Sequence, residues 1–337
     1  MSELHSSESC LVSDPGIPTL EKAFDQVVLR EYLPAVLPSE WGAIRNVRLQ
    51  VLRHKPGTGR CTFEIMLGTT SGCYSLIGKV YAEDRADVYH AMEVISRSGF
   101  GPEAEFAIHR PVAYLAPLRL LLCEKVAGTR ATELILNPNE SNRVLAAERC
   151  ALWLARFHAV GPRLGRVVRL DDQLSFLDGC RRSLGDLGRP FADKASRLFD
   201  HLNATARELS IIELCAGHGM YTSGQVLLLE GRTVTVDWDT YNVADPSYDV
   251  ARMLVGFKRL GLRYFDSMHA LDGAAEAFLK TYLATSRTDV TTHLAFQKAA
   301  ICLERAKRGL DKQTRGWREL AEAMLDEGLR ILDREAN

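Results

Sequence analysis

Several things are missing from this 337-residue sequence, and each absence removes a class of protein. No run of 18 apolar residues occurs, so no membrane-crossing helix and no membrane partner are expected. The opening stretch MSELHSSESCLVSDPG has no basic region leading into an apolar core. It does not read as a secretory leader, and a cytoplasmic location is expected. None of the eight cysteines (Cys10, Cys61, Cys73, Cys123, Cys150, Cys180, Cys215, Cys302) forms a CxxC pair, and none sits close to histidine in a zinc spacing. Reduced thiols are the expectation. Net charge is -1, so no overall imbalance points to nucleic acid. There is no internal repeat, and no Gly-x-Gly-x-x-Gly phosphate loop.

What is present is the make-up of a folded soluble chain, with 46% hydrophobic and 25% charged residues. The length suffices for one large body or two lobes. Residues 1–18 are polar and read as a flexible tail. A helix or two is expected between Thr19 and Leu37. Strands are expected over 46–54, 61–69 and 73–82, the last two separated by a Gly-Thr-Thr-Ser-Gly turn. Residues 84–98 read as a helix, with Asp84 as its cap and Val88, Met92 and Ile95 on one face. Two further strands are expected near 111–115 and 118–124. Three strands, a helix and two strands make a mixed sheet carrying one helix, not a βαβ unit.

Gly128 marks a boundary. Beyond it helices are expected over 140–158, 191–210, 248–259, 263–284, 290–309 and 315–333, interrupted by short strands between 211 and 237. The division is a β-rich N-lobe over 19–127 and a helical C-lobe over 128–337, an α+β architecture.

Within the C-lobe, a loop over 218–225 enters a strand, the chain turns at Glu230-Gly231, and a second strand ends in Asp237-Trp238-Asp239. Gln225 begins the first strand and Asp237 ends the second, so antiparallel pairing brings them close. An amide oxygen and a carboxylate so placed suit Mg²⁺, which takes oxygen ligands and often relies on one or two carboxylates plus phosphates. In the N-lobe, Lys79 lies inside an otherwise apolar strand, where a lysine is unusual without a partner. The alternative is an edge-strand lysine that snorkels to solvent. Between the first two strands, Gly57 and Gly59 permit close approach of backbone to a phosphate, with Arg53, Lys55 and Arg60 adding positive charge. A solvated hairpin turn is the plain alternative.

The ordered motifs HGMYTSGQ (218–225), VDWD (236–239) and DPSYDVA (245–251) resemble the signature region of the aminoglycoside phosphotransferase and choline kinase-like family, distant relatives of protein kinases. LLCEKVAG (121–128) is similar to the interlobe hinge of that family, and ALWLARFH (151–158) to its A-L-x-x-L-H helix. The resemblance implies a bilobal protein kinase-like fold, β-rich with one main helix in the N-lobe and mostly α-helical in the C-lobe. It implies ATP or GTP with Mg²⁺ as cofactors and a small hydroxyl-bearing molecule as acceptor. Lys79, Gly57 and Gly59 would bind phosphates, with Asp87 or Glu93 as the acid pairing with the lysine. Backbone at Glu124 and Val126 would bind the base, and Gln225 and Asp237 the metal. His218 would brace the catalytic loop, Asp239 would orient substrate or serve as a substitute base, and Asp249 would be a structural acid beside the loop or a satisfied helix-start residue. His158 reads as packed and structural.

Met220 stands where the family places its base aspartate, and a thioether accepts no proton at working pH. Two functions follow: an ATP- and Mg²⁺-dependent phosphotransferase acting on a small-molecule hydroxyl, or a catalytically impaired nucleotide- or ligand-binding pseudokinase. A kinase-like scaffold alone would leave Lys79, Gln225, Asp237 and Asp239 unexplained. The acids Asp266, Asp272, Glu276 and Asp289 either contact substrate or are ordinary surface acids. The sequence favours no oligomeric state.

Overall fold

A computed structural model describes residues 13–335. The chain forms two compact units. One takes in the chain up to Pro102 together with Ile108–Ala127, the other Glu103–Ala107 and the chain from Gly128 on.

The first unit opens with two short helices, α1 (Leu20–Ala23) and α2 (Gln26–Tyr32), followed by strands β1 (Ile44–His54), β2 (Arg60–Thr69) and β3 (Cys73–Tyr81). Helix α3 (Ala86–Ile95) comes next; after β4 (Phe106–Ile108), most of which belongs to the second unit, the first unit closes with β5 (Pro111–Leu115) and β6 (Leu120–Glu124). All pairings in the five-stranded sheet are antiparallel, in the order β1-β2-β3-β6-β5. Alternation on β2 sends Cys61, Phe63, Ile65 and Leu67 inward, each at most 1% exposed. Leu20, Ala23, Leu29 and Leu33 join the same core.

Of the polar stretch at the start, residues 1–12 lie outside the described residues. Ile17 belongs to the core, and Asp14 pairs with His54 Nε2 at 3.0 Å, so the loose stretch does not extend to Asp14. On α3 the expected face is buried at Val88, Met92 and Ile95, and Asp84 Oδ1 accepts from Ala86 N–H at 2.9 Å.

The second unit continues with β7 (Thr129–Arg130), α4 (Ala131–Ile135), α5 (Glu140–Val160), β8 (Arg166–Val167), α6 (Leu170–Gly185) and α7 (Phe191–Ala206). Then come β9 (Cys215–Gly217), β10 (Val226–Leu229), β11 (Arg232–Thr235) and β12 (Asn242–Ala244). Helices α8 (Pro246–Phe265), α9 (Asp272–Thr285), α10 (Thr291–Lys312) and α11 (Trp317–Glu335) complete it. Two small sheets sit among the helices, in the orders β4-β11-β10-β7 and β8-β12-β9.

The sequence reading needs two corrections here. Helix α6 was not expected; its buried residues Leu177, Cys180 and Leu184 recur at helical spacing. Helix α8 runs unbroken through the region where a break between 259 and 263 was expected. Gly261 is tolerated there because the returning chain crosses it closely: a Cβ at 261 would meet the Ser267 carbonyl oxygen at 2.5 Å. Packing overrides helix propensity at this glycine. The helix stops at Asp266, which takes a left-handed φ of 53°.

An aromatic knot ties α5 to the strands that follow. Trp153, fully buried, stacks on Tyr221 at 5.6 Å and on Phe157 at 5.1 Å, and lies 5.9 Å from Trp238. Its Nε1–H donates to the Ala107 carbonyl at 2.9 Å. The Tyr221 hydroxyl donates to the Cys150 carbonyl at 2.8 Å. The indole is thus both packed and hydrogen-bonded, as a buried tryptophan must be. Among the described residues no helix is long and apolar enough to cross a membrane.

Replacing Trp153 with alanine is expected to lower the stability of the fold by about 3–5 kcal/mol, read as a shift in the urea unfolding midpoint. A change below about 1 kcal/mol would show that the knot does not hold α5 to the strands.

Candidate functional site

The site is built on the β10–β11 hairpin. Val226 pairs with Thr235, and Leu229 with Arg232, across a two-residue turn at Glu230-Gly231 in which Gly231 has φ 66°. One step beyond the ladder, Val236 N–H donates to the Gln225 carbonyl at 2.9 Å. Gln225 and Asp237 therefore leave the same end of the hairpin. The Gln225 side-chain oxygen accepts from the Thr222 hydroxyl and keeps a second lone pair. Asp237 holds φ at 70°, a left-handed backbone that is uncommon for a residue other than glycine and worth notice beside a site. A carboxylate and an amide oxygen are hard donors of the type Mg²⁺ takes. The pair fits such an ion when it arrives with nucleotide phosphates.

The loop leading to this hairpin is held from within. Asp249, 2% exposed in the first turn of α8, accepts from three backbone donors: His218 N–H at 2.7 Å, Gly219 N–H at 3.3 Å and Tyr221 N–H at 3.4 Å. Of the two readings of this acid, the structure has the one that contacts the loop. Burial works to raise its pKa, but neighbouring His158 and His218 and the backbone donors outweigh it, so the carboxyl lies below its ordinary value. His158 Nδ1 bonds the Tyr282 hydroxyl at 2.8 Å, and its Nε2 stands 3.7 Å from Asp249 Oδ2, a packed position as expected.

His218 is fully buried. Its Nε2 meets the Val236 carbonyl at 3.1 Å, and its Nδ1 accepts from Met220 N–H at 3.3 Å. These partners fix the neutral Nε2–H tautomer. Both nitrogens are taken up by backbone, which makes the ring a brace and leaves it no lone pair for proton transfer. Burial pushes its pKa down, against the pull of Asp249. Gly219 is required for two reasons: its φ is 74°, and a Cβ there would meet the Thr240 carbonyl oxygen at 2.1 Å.

Met220, half-buried at the head of this braced loop, points its sulfur at two guanidinium groups. Arg252 Nη1 is 3.3 Å away and Arg308 Nη1 3.4 Å. Arg252, 1% exposed, is in turn held by Glu304 at 3.0 and 2.5 Å and by the Tyr248 hydroxyl. The sequence reading missed Arg252, Arg308, Glu304 and Tyr248. Their signal was the recurrence of arginine along α8 at 252, 259 and 263 and along α10 at 305 and 308. Asp239 lies half-buried two residues past Asp237.

In the first unit, Lys79 lies on β3 between Thr62 of β2 and Leu121 of β6. The strand is central, so the edge-strand alternative falls away. Its ammonium stands 5.9 Å from the Tyr81 ring centroid. Asp87 bonds Arg85 at 2.9 Å and Glu93 bonds Arg97 at 2.9 Å. Gly57 and Gly59 both take positive φ, 75° and 67°, which accounts for glycine at each whatever approaches the turn. At the hinge, Glu124 N–H donates to the Arg110 carbonyl at 2.9 Å, and Lys125 pairs with buried Glu64 at 2.7 Å. The segment that follows, with Val126, carries no regular structure.

A strand-rich unit with one main helix and a mostly helical unit carrying this hairpin define a protein kinase-like fold. The family model described as the phosphotransferase enzyme family (APH) matches residues 75–295, and the chain belongs to that family. Aminoglycoside phosphotransferase APH(4)-Ia superposes with a TM-score of 0.62 at 14% identity, over 90% of this chain and 98% of that one. A choline/ethanolamine kinase family protein from Mesorhizobium loti gives 0.56 at 14% identity, over 90% and 93%. Glucosamine kinase in complex with glucosamine, ADP and inorganic phosphate gives 0.59 at 18% identity, over 86% and 83%. Likenesses at these identities bear on the fold alone. No curated protein matches the chain in sequence.

The buried neutral His218 has a pH consequence. Its folded pKa is lowered from 6.5, so the unfolded chain takes up the proton first as pH falls. Its contribution is complete above about pH 7 and shrinks as pH drops through about 6.5 toward the folded value. Unfolding free energies of wild type and His218→Gln, measured from pH 7.5 to 5, should therefore converge on acidification. A constant gap across that range would contradict the neutral, buried assignment.

Proposed function

We propose that this chain is a nucleotide- and ligand-binding member of the phosphotransferase enzyme family whose transfer of phosphate to a small-molecule hydroxyl is impaired. The observation that carries this reading is Met220. The loop over 218–221 is fully braced by Asp249 and His218, yet the side chain it presents is a thioether between two guanidinium groups. No base can act from that atom, and any carboxylate put there would be held ionised by the arginines and so be a weak proton acceptor.

The electrostatic parts are retained. Gln225 and Asp237 are the proposed Mg²⁺ ligands, and the metal would supply charge neutralisation on the nucleotide phosphates. Lys79, with the turn at Gly57 and Gly59, is the proposed phosphate contact of the first unit. Backbone at Glu124 and Val126 is the proposed contact for the base of ATP or GTP. Nucleotide binding draws support from similar folds crystallised with ADP and hygromycin B, with AMP, and with ADP and glucosamine.

A second reading keeps turnover. Phosphoryl transfer has a loose transition state, so positioning alone gives some rate, and Asp239 is the carboxylate proposed to orient a hydroxyl.

Calorimetric titration with ATP, with and without Mg²⁺, tests the shared part. Magnesium-dependent binding is expected in wild type and should weaken at least about tenfold in Asp237→Asn, through loss of a charged ligand. Equal affinity in the two proteins would remove Asp237 from the metal site. Turnover on a panel of sugars and amino alcohols at the roughly 1–100 s⁻¹ usual for kinases would overturn the impaired reading.

A further inference from the structure

The second unit holds a cavity of about 340 Å³ whose lining includes no residue of the hairpin or of the loop over 218–225. The volume falls in the lower part of the roughly 300–1,000 Å³ range of small-molecule pockets. Its place follows from the three-stranded sheet. Strand β8 runs parallel to β12, and β9 antiparallel to it, with Gly217 opposite Asn242 and Cys215 opposite Ala244. Val168, Leu214 and Ala244 therefore stand at one end of that sheet, where they line the cavity, while the loop that begins at His218 leaves from the other end.

Leu170, Leu209 and Ile212 complete the aliphatic lining. Of these six side chains only Ala244 is buried, and the other five are half-buried. Apolar surface is thus left facing open space, and covering it is favourable. The segment 209–214 has no regular structure, yet four of its six residues are aliphatic.

The polar side chains of the wall are bonded to one another. Gln173 and Gln297 exchange amide hydrogen bonds at 2.6 and 3.2 Å. Asp245 accepts from Ser247 N–H at 2.8 Å through Oδ1, and its Oδ2 meets His293 Nδ1 at 2.7 Å. His293 Nε2 meets the Ser210 carbonyl at 3.0 Å. The carboxylate is taken up by these partners and does not call for a cationic ligand. Arg169 is the one arginine or lysine of the lining, and it is exposed. Asp172 is near enough to feel its charge, but gives its oxygens to Arg166 at 2.6 Å and to the Arg169 backbone N–H at 3.2 Å. The Arg169 guanidinium makes no hydrogen bond or ion pair with a described residue. Its fork of donors matches a carboxylate.

We propose that this cavity is a binding site for a small amphipathic acid, with its apolar body against the aliphatic wall and its carboxylate on Arg169. The inference goes beyond the nucleotide reading and needs neither ATP nor Mg²⁺. One wall residue joins the two regions: the Tyr248 hydroxyl bonds Arg252, whose Nη1 is 3.3 Å from the Met220 sulfur.

Octanoate is the probe, titrated calorimetrically into the full chain, with octanol, octylammonium and acetate as references at matched ionic strength. Wild type should bind octanoate at a single site, at least about tenfold more tightly than octanol or octylammonium, through charge-assisted bonds to the guanidinium. Acetate, which lacks the apolar body, should not bind measurably. Arg169→Gln should bring octanoate down to the affinity of octanol. Ile212→Trp, which puts a large side chain into the cavity from an irregular segment, should abolish binding of both. If Ile212→Trp does not fold, Arg169→Gln, a change at an exposed position, carries the test. No octanoate binding by wild type, equal affinity for octanoate and either eight-carbon reference, or undiminished octanoate binding in Arg169→Gln or Ile212→Trp would overturn the proposal. The titration contains no nucleotide, so its failure leaves the nucleotide reading standing, and a failure of Mg-ATP to bind leaves this site standing.

Discussion

The site depends first on one buried carboxylate. Asp249 accepts from three N–H groups of one loop, those of His218, Gly219 and Tyr221, and without it these donors would be sealed away from water with no acceptor. Its position follows from α8: Asp245 caps that helix by accepting from Ser247 N–H at 2.8 Å, which places Asp249 one turn in, under the loop. His218 closes the arrangement by tying the loop to Val236, the residue just before Asp237. A change at Asp249 thus propagates to the Asp237 end of the hairpin without touching it. The aromatic knot around Trp153 and Trp238 forms the floor beneath.

Much of this was legible in the sequence because it rests on local pattern. The hairpin was readable from two apolar runs around Glu230-Gly231, and α3 from Val88, Met92 and Ile95. The motif residues 218–225, 236–239 and 245–251 do meet around one loop, through Asp249 and His218. What escaped were features set by distant packing. The unbroken run of α8 past Gly261 depends on Ser267 crossing over it. The central place of Lys79 depends on β6 pairing with β3 across forty residues of chain. The arginines beside Met220, Arg252 and Arg308, come from two helices and stand more than fifty residues apart in the chain, so no short window of sequence contains them together.

The same arginines give the methionine a physical setting. The thioether stands beside Arg252, which Glu304 and Tyr248 hold from behind, and beside Arg308. Position 220 is thus joined to α8 and α10 at once.

Asp237 carries a different kind of information. Held at φ 70°, most side chains cost on the order of 1–2 kcal/mol that glycine would not incur, and asparagine and aspartate cost less. Part of that gain would be lost again to the greater freedom of glycine in the unfolded chain. β-branched residues are closed to that backbone. The backbone at 237 therefore acts as a filter on mutational drift. It admits glycine, asparagine and aspartate at low cost, so the residue found there is chosen from a short list by what its side chain does.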